Sequence, residues 1–189
     1  MVEALIENHG AIVLGKNEND WEDNFDELIE VMEDHNKDVD AIEPSLFALF
    51  ANEIAPRNGF DASLEEILHL ITHIGYGHAY PETWGLKVGT PLADALDKAR
   101  GGRFKNIPSR YPSNAWFTYD DRSCDYACQM VEYSYWSITS YMGLQASRSN
   151  EISEEWRIAT AQQFKSTDKA MLKLITNPIY KVPLNSPVQ

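Results

Sequence analysis

The chain has 189 residues, of which 43% are hydrophobic and 11% aromatic. This length and composition predict one domain, 1–189, with a substantial core, and they exclude a disordered chain. The net charge of −13 argues against binding nucleic acid or an anionic membrane surface, because both would repel the protein. No apolar run approaches the ~18–20 residues of a membrane span. No export signal follows Met1, and the sequence leaves the cellular location open.

The acidic residues concentrate in the N-terminal part of the chain. Residues 1–60 hold 15 Asp or Glu against three basic residues, Lys16, Lys37 and Arg57. A solvated surface is the simplest interpretation of this excess. A docking surface for a cationic partner or for divalent ions is the alternative.

The first predicted elements are a strand and two helices. The apolar run 11–14 ends at Gly15 and predicts a short strand. Asn19 or Asp20 is expected to cap a helix with apolar residues at a 3.6-residue period, namely Trp21, Phe25, Leu28, Ile29 and Met32. Residues 45–55 predict a second helix that Pro56 closes, and residues 57–60 predict a turn.

The next predicted helix covers about 63–75. Asp61 or Ser63 is expected to cap it, and the sequence SLEE at 63–66 has the pattern of a capping box. Gly75 or Gly77 is expected to end it.

Three further helical regions are predicted in the rest of the chain. Thr90 caps a helix to about residue 99, and 103–123 form a long irregular connection of the kind that often carries function. A helix rich in aromatic residues covers about 124–146, and a last helical region covers about 153–175, with a break near Ser166 as the alternative to one helix. Together these elements predict an α+β fold that is predominantly α-helical, with a small N-terminal β element.

His69 and His73 are the most informative pair in the sequence. They are four residues apart, so on a helix they share one face, about 40° apart around the axis. That spacing allows both imidazoles to reach one zinc ion at about 2.0–2.1 Å. Hydrogen-bonded histidines without a metal are the alternative.

Glu132 is the predicted third ligand. It lies in the middle of an apolar and aromatic helix, where a carboxylate is unfavourable unless it is paired or bound to metal. Residues 123–147 contain no Lys or Arg. An ion pair with an arginine upstream (Arg103, Arg110 or Arg122) and an exposed position are the alternatives, and His78 is the competing third ligand.

This pattern resembles the gluzincin branch of the zincin metallopeptidases. In that family one helix carries HExxH and a later helix supplies a glutamate ligand. The resemblance implies a zincin-like fold that binds zinc, or another divalent transition metal, through His69, His73 and Glu132 and hydrolyses peptide or protein substrates. The sequence departs from the family at Leu70, where the family has its general-base glutamate. EEILHLITHIGY and CDYACQMVEYSYW also resemble a group of uncharacterised, secreted-looking proteins with zincin-like features, which implies a secreted origin.

Another carboxylate therefore has to replace the missing base. Glu66 lies about 60° around the helix from His69, near the sector of position 70, and we predict it as the catalytic residue. It could act through a water or orient a ligand histidine. Glu65, at about −40°, is a weaker candidate, and Asp120 and Asp121 are further alternatives.

Three other interpretations compete with a metallohydrolase. A non-catalytic, metal-stabilised interaction domain and a helical adaptor without metal both fit the composition. A di-iron site would need a second ExxH motif, which the sequence lacks. The cysteines, Cys124 and Cys128, are expected as buried reduced thiols, with a local disulfide or a metal contact as alternatives.

Overall fold

The computed structural model describes residues 1–35, 37–54 and 61–185. The chain divides into two compact units, Met1–Ala79 and Tyr80–Gln189. Helices dominate these described residues, and the strands among them form one two-stranded sheet, so the predicted mainly helical α+β fold is confirmed. The single domain over 1–189 and the likeness to zincins stay predictions. No helix among the described residues has the length and apolar character needed to cross a membrane.

The described residues of the first unit form five helices and two strands. In chain order they are α1 (Val2–Glu7), β1 (Ala11–Gly15), α2 (Glu18–Asp34), α3 (Val39–Ile42), β2 (Leu46–Phe50), α4 (Ser63–Leu70) and α5 (Gly77–Ala79). A 3₁₀ turn, Glu43–Ser45, precedes β2, and a π-helical segment, Ile71–Tyr76, joins α4 to α5. The cap of α2 is Asn17 rather than the predicted Asn19 or Asp20, and its side chain accepts a hydrogen bond from the Asp20 amide.

The two strands are parallel and in register from Ala11 opposite Leu46 to Gly15 opposite Phe50. β1 confirms the strand predicted at 11–14. β2 corrects the helix predicted at 45–55, because a short apolar run such as LFALF suits a buried strand as well as a helix. The predicted end of that helix at Pro56 and the turn at 57–60 lie outside the described residues. α4 packs against both strands.

The helix that begins at Ser63 does not end at Gly75 or Gly77, as the glycines predicted. It continues through the π-helical segment into α5 and ends at Ala79. Gly75 serves packing instead, since a Cβ there would lie 3.0 Å from Cγ of Met1 and 3.5 Å from Cγ of Leu5. The absence of a side chain lets α1 approach this helix closely.

In the second unit, residues 80–185 form four helices around an aromatic core. They are α6 (Pro91–Ala99), α7 (Tyr126–Tyr141), α8 (Ala161–Thr167) and α9 (Lys169–Ile175), with a 3₁₀ turn at Ala146–Arg148. Thr90 caps α6 as predicted. The last predicted helical region is two short helices that meet at Asp168, and residues 153–160 are not helical. The fully buried rings of the core include Trp84, Phe117, Tyr133, Trp156 and Phe164.

Cys124 and Cys128 form a disulfide, which corrects the expectation of reduced thiols. Their Cα atoms are 5.3 Å apart, within the range that a disulfide requires. The bridge encloses the start of α7, where the side chain of Asp125 accepts a hydrogen bond from the Cys128 amide. Both sulfurs are therefore unavailable as metal ligands, and the alternative of a metal contact is excluded for this state of the protein.

Candidate metal centre

The start of α4 determines what Glu66 can do. The predicted capping box at 63–66 is wrong, because Ser63 is already helical and the cap, Ala62, has no side-chain hydrogen bond. Asp61 supplies the local oxygen instead, and it accepts a hydrogen bond of 2.9 Å from the Ser63 amide. Glu66 therefore does not act as a capping partner, and its carboxylate can interact with side chains on the same face of α4.

Glu66 faces His69 one turn further along α4. Its Oε2 atom lies 3.7 Å from Nδ1 of His69, within ion-pair range and longer than a hydrogen bond. The side chain of His69 is 9% exposed, and its Nε2 atom is shielded from solvent. A carboxylate beside Nδ1 favours the tautomer that leaves Nε2 as the metal-binding nitrogen.

Glu132 occupies an exceptional position on α7. Every residue from Gln129 to Ser140 is buried except Glu132, which is partly exposed. Ser134 and Thr139 satisfy their hydroxyls inside the helix, by donating to the carbonyl oxygens of Met130 and Tyr135. Glu132 is the one acidic residue that α7 contains.

Three side chains offer metal ligands close together: Glu65, His69 and Glu132. Each contributes one ligand atom, and these atoms all lie within 4.8 Å of one another. Among the described residues, no other group of three or more His, Cys, Asp and Glu side chains meets this distance. One imidazole nitrogen and two carboxylate oxygens form a suitable donor set for a divalent transition metal, and three protein ligands are typical of sites that keep a position open.

The group differs from the predicted ligand set at one residue, because it contains Glu65 and not His73. On a helix, Glu65 and His73 lie on opposite sides of His69, at about −40° and +40°. The His73 ring packs edge-on against Phe47 of β2, with ring centroids 5.7 Å apart. His78, the competing ligand, is exposed on α5 and is not a member of the group.

Glu155 is an acidic residue near the centre that the sequence did not indicate. Burial raises its pKa, the carboxylates of Asp120 and Glu132 raise it further, and Arg148 lowers it. No spacing in the chain relates residue 155 to Glu132, so only the fold reveals this neighbourhood. Asp120 and Asp121 are the two loop acids proposed as alternative bases. The charge of Asp120 contributes to the raised pKa of Glu155. Asp121 instead accepts hydrogen bonds from the amide and hydroxyl of Ser123.

Arg103, one of the three arginines predicted as alternative partners of Glu132, pairs with acidic residues of α6. Arg103 donates a hydrogen bond of 2.7 Å to Asp97, and its guanidinium lies 3.6 Å from Asp94. It is thus committed to acidic residues of α6.

No protein-family model matches this chain, and neither the curated proteins nor the solved structures contain a match. The resemblance to zincins therefore stays an expectation from two helices.

Proposed function

We propose that the protein binds one divalent transition-metal ion, zinc in the first instance, through Glu65, His69 and Glu132. The observation that carries the proposal is the convergence of these three ligand atoms within 4.8 Å. Two carboxylates so close together repel each other, and a shared cation removes that repulsion. This ligand set revises the predicted one by replacing His73 with Glu65.

We further propose that the bound ion serves hydrolysis, with peptide bonds as the substrate class. A divalent ion with an open position lowers the pKa of a water ligand and polarises a carbonyl group. The peptide substrate rests on the resemblance to gluzincins alone. A non-catalytic, metal-stabilised domain is the second candidate, and Leu70 favours it because gluzincins carry their base at that position.

In this proposal Glu66 is a positioning residue, which refines its predicted catalytic role. Its carboxylate faces Nδ1 of His69, so it orients the imidazole and fixes its tautomer. Loss of such an outer carboxylate typically weakens metal affinity by about 10–100-fold. Loss of a general base instead lowers turnover by about 10²–10⁴-fold.

One set of measurements tests these roles together. Zinc affinity and turnover of a mixed peptide library are measured for wild type, Glu66→Gln and His69→Ala, with bound zinc quantified in each sample. We expect His69→Ala to lose zinc, and Glu66→Gln to bind it more weakly yet to match wild-type turnover when saturated. A drop in turnover of Glu66→Gln at equal zinc occupancy would make Glu66 the base after all.

The same samples separate the two candidate functions. Metal binding stabilises the folded state by RT ln(1 + [L]/Kd), which is about 2.7 kcal/mol at a hundredfold excess over Kd. A chelator should therefore lower the melting temperature of wild type, and added zinc should restore it. Zinc-dependent stability with no turnover across the library would support the non-catalytic domain. Stability that is unchanged by chelation, with no bound metal, would contradict both.

A further inference from the structure

A narrow apolar cleft lies between β1 and α2 of the first unit. Its volume is about 180 Å³, and its apolar lining comes from Val13 and Leu14 of β1 and from Trp21, Phe25 and Leu28 of α2. The rings of Trp21 and Phe25 contact each other, with centroids 5.0 Å apart. The cleft is large enough to accept one aliphatic side chain.

The described residues of the chain cover this cleft incompletely. α2 has 17 residues and none of them is buried. Leu14, at the rim of the cleft, is 70% exposed. An amphipathic helix normally buries its apolar stripe, so a stripe left half-exposed along its whole length indicates a surface that a partner covers.

The charge around the cleft determines which partner fits. α2 contains nine acidic residues and no Lys or Arg: Glu18, Asp20, Glu22, Asp23, Asp26, Glu27, Glu30, Glu33 and Asp34. Asp20 also lines the cleft. A second copy of the chain would bring an equally acidic α2 against this surface and would be repelled. The complementary occupant is therefore basic.

We propose that this cleft is the docking site for a basic amphipathic segment of another protein. An aliphatic side chain of the partner enters between β1 and α2, and its Lys or Arg residues lie against the carboxylates of α2. Apolar burial supplies the anchor, and charge complementarity supplies the rate of association and the choice of partner. This inference uses residues outside the metal centre and does not depend on it.

The test uses the full-length protein and a fluorescent synthetic helix-forming peptide composed of Leu and Lys. Binding is measured by fluorescence anisotropy, and a peptide with Ser in place of Leu has the same charge without the anchor. We expect the Leu–Lys peptide to bind more tightly than the Ser–Lys peptide, and salt to weaken binding. Equal binding of the two peptides would overturn the apolar cleft as the site.

Variants and matched controls assign the binding to the cleft. Leu14→Ser should weaken binding by about tenfold, because it removes an aliphatic contact, whereas Ile179→Ser, at a residue 66% exposed elsewhere, should leave it within about twofold. The triple variant Glu22→Gln, Glu27→Gln, Glu33→Gln should weaken binding by roughly tenfold. The control Glu82→Gln, Glu151→Gln, Glu154→Gln removes the same charge from the second unit and should have a smaller effect.

Besides equal binding of the two peptides, three outcomes would contradict the proposal. Equal weakening by both triple variants would show binding to net charge rather than to α2. Unchanged binding of Leu14→Ser would exclude the cleft. Concentration-dependent dimerisation of wild type that Leu14→Ser abolishes, measured by sedimentation velocity, would show that a second copy occupies the site. Circular dichroism verifies that each variant is folded.

Discussion

Helices α2 and α7 have nearly the same length and opposite environments. α2 has 17 residues, nine of them acidic and none buried, whereas α7 has 16 residues, one of them acidic and eleven buried. Water solvates the carboxylates of α2 individually, so each has little structural consequence. The single carboxylate of α7, Glu132, lies in an otherwise buried run and is only partly exposed, so a cation or a hydrogen-bond donor beside it stabilises it more than it would a fully solvated carboxylate. An acidic residue in a sequence therefore indicates a functional or structural role more strongly when apolar residues surround it.

The largest expected effect on stability is at Asp168, the buried cap of α9, to which Tyr133 of α7 donates a hydrogen bond. Its Oδ2 accepts hydrogen bonds from Tyr133 (2.6 Å) and Trp116 (3.1 Å), and its Oδ1 accepts one from the Met171 amide (2.9 Å). Asp168→Ala leaves these donors without their partner and removes the cap of α9, so the free energy of unfolding should fall by about 4 kcal/mol. Urea unfolding measures the change.

The matched control is an exposed aspartate of α2. Asp26 is exposed on α2, and Asp26→Ala should change the free energy of unfolding by less than about 0.5 kcal/mol. If Asp168→Ala changes it as little as Asp26→Ala does, the contrast between the two environments is wrong.

Aliphatic side chains give the next largest difference between the helices. Ile138 on α7 is 0% exposed, and truncation to Ala should lower the free energy of unfolding by about 3 kcal/mol through lost burial and a cavity. Leu28 on α2 is only half-buried, so Leu28→Ala should lower it by about 1 kcal/mol or less. If urea unfolding showed that Ile138→Ala and Leu28→Ala lower the free energy of unfolding equally, the apolar side chains of α2 would be covered in solution.

The buried Asp168 also predicts a smaller, pH-dependent effect. Burial raises its pKa, against the opposing effects of Tyr133, Met171, Trp116 and the charge of Lys98. A carboxyl group with a raised folded pKa contributes its full stability below the unfolded pKa, and that contribution is lost as pH rises through the folded pKa. Wild type should therefore lose stability relative to Asp168→Asn as pH rises from about 4. Urea unfolding of both proteins at a series of pH values measures the difference, and a difference that grows in favour of wild type would contradict it.

The sequence predicted those parts of the molecule that local chemistry determines. Thr90 before Pro91 fixes the start of α6, because the hydroxyl accepts a hydrogen bond from the Ala93 amide. The predicted helix at about 124–146 contains α7, and the isolated acidic residue Glu132 identified one member of the candidate centre. The helical spacing of His69 and His73 pointed to His69, which belongs to the candidate group, and to His73, which does not. Each of these signals is contained in a few neighbouring residues.

Features that depend on tertiary contacts were missed or assigned wrongly. The run LFALF pairs with β1, a partner distant in sequence, and was predicted as a helix. Gly75 continues the helix because α1 packs against it, although glycine commonly ends helices. The candidate group contains Glu65 with His69 and Glu132, whereas His73, whose role as a ligand stays a prediction, lies beside Phe47. Which flank of the helix supplies a ligand atom to this group depends on packing that no spacing in the chain encodes.

The identity of the third ligand can be tested directly by zinc affinity. Glu65→Ala and His73→Ala are matched truncations, four residues to either side of His69, and zinc binding is titrated against a competing chelator in both and in wild type. We predict that Glu65→Ala weakens zinc binding by more than the roughly 100-fold upper range for outer-shell changes, and that His73→Ala stays within about threefold of wild type. Loss of binding in His73→Ala with normal binding in Glu65→Ala would contradict the assignment and restore the pair of histidines.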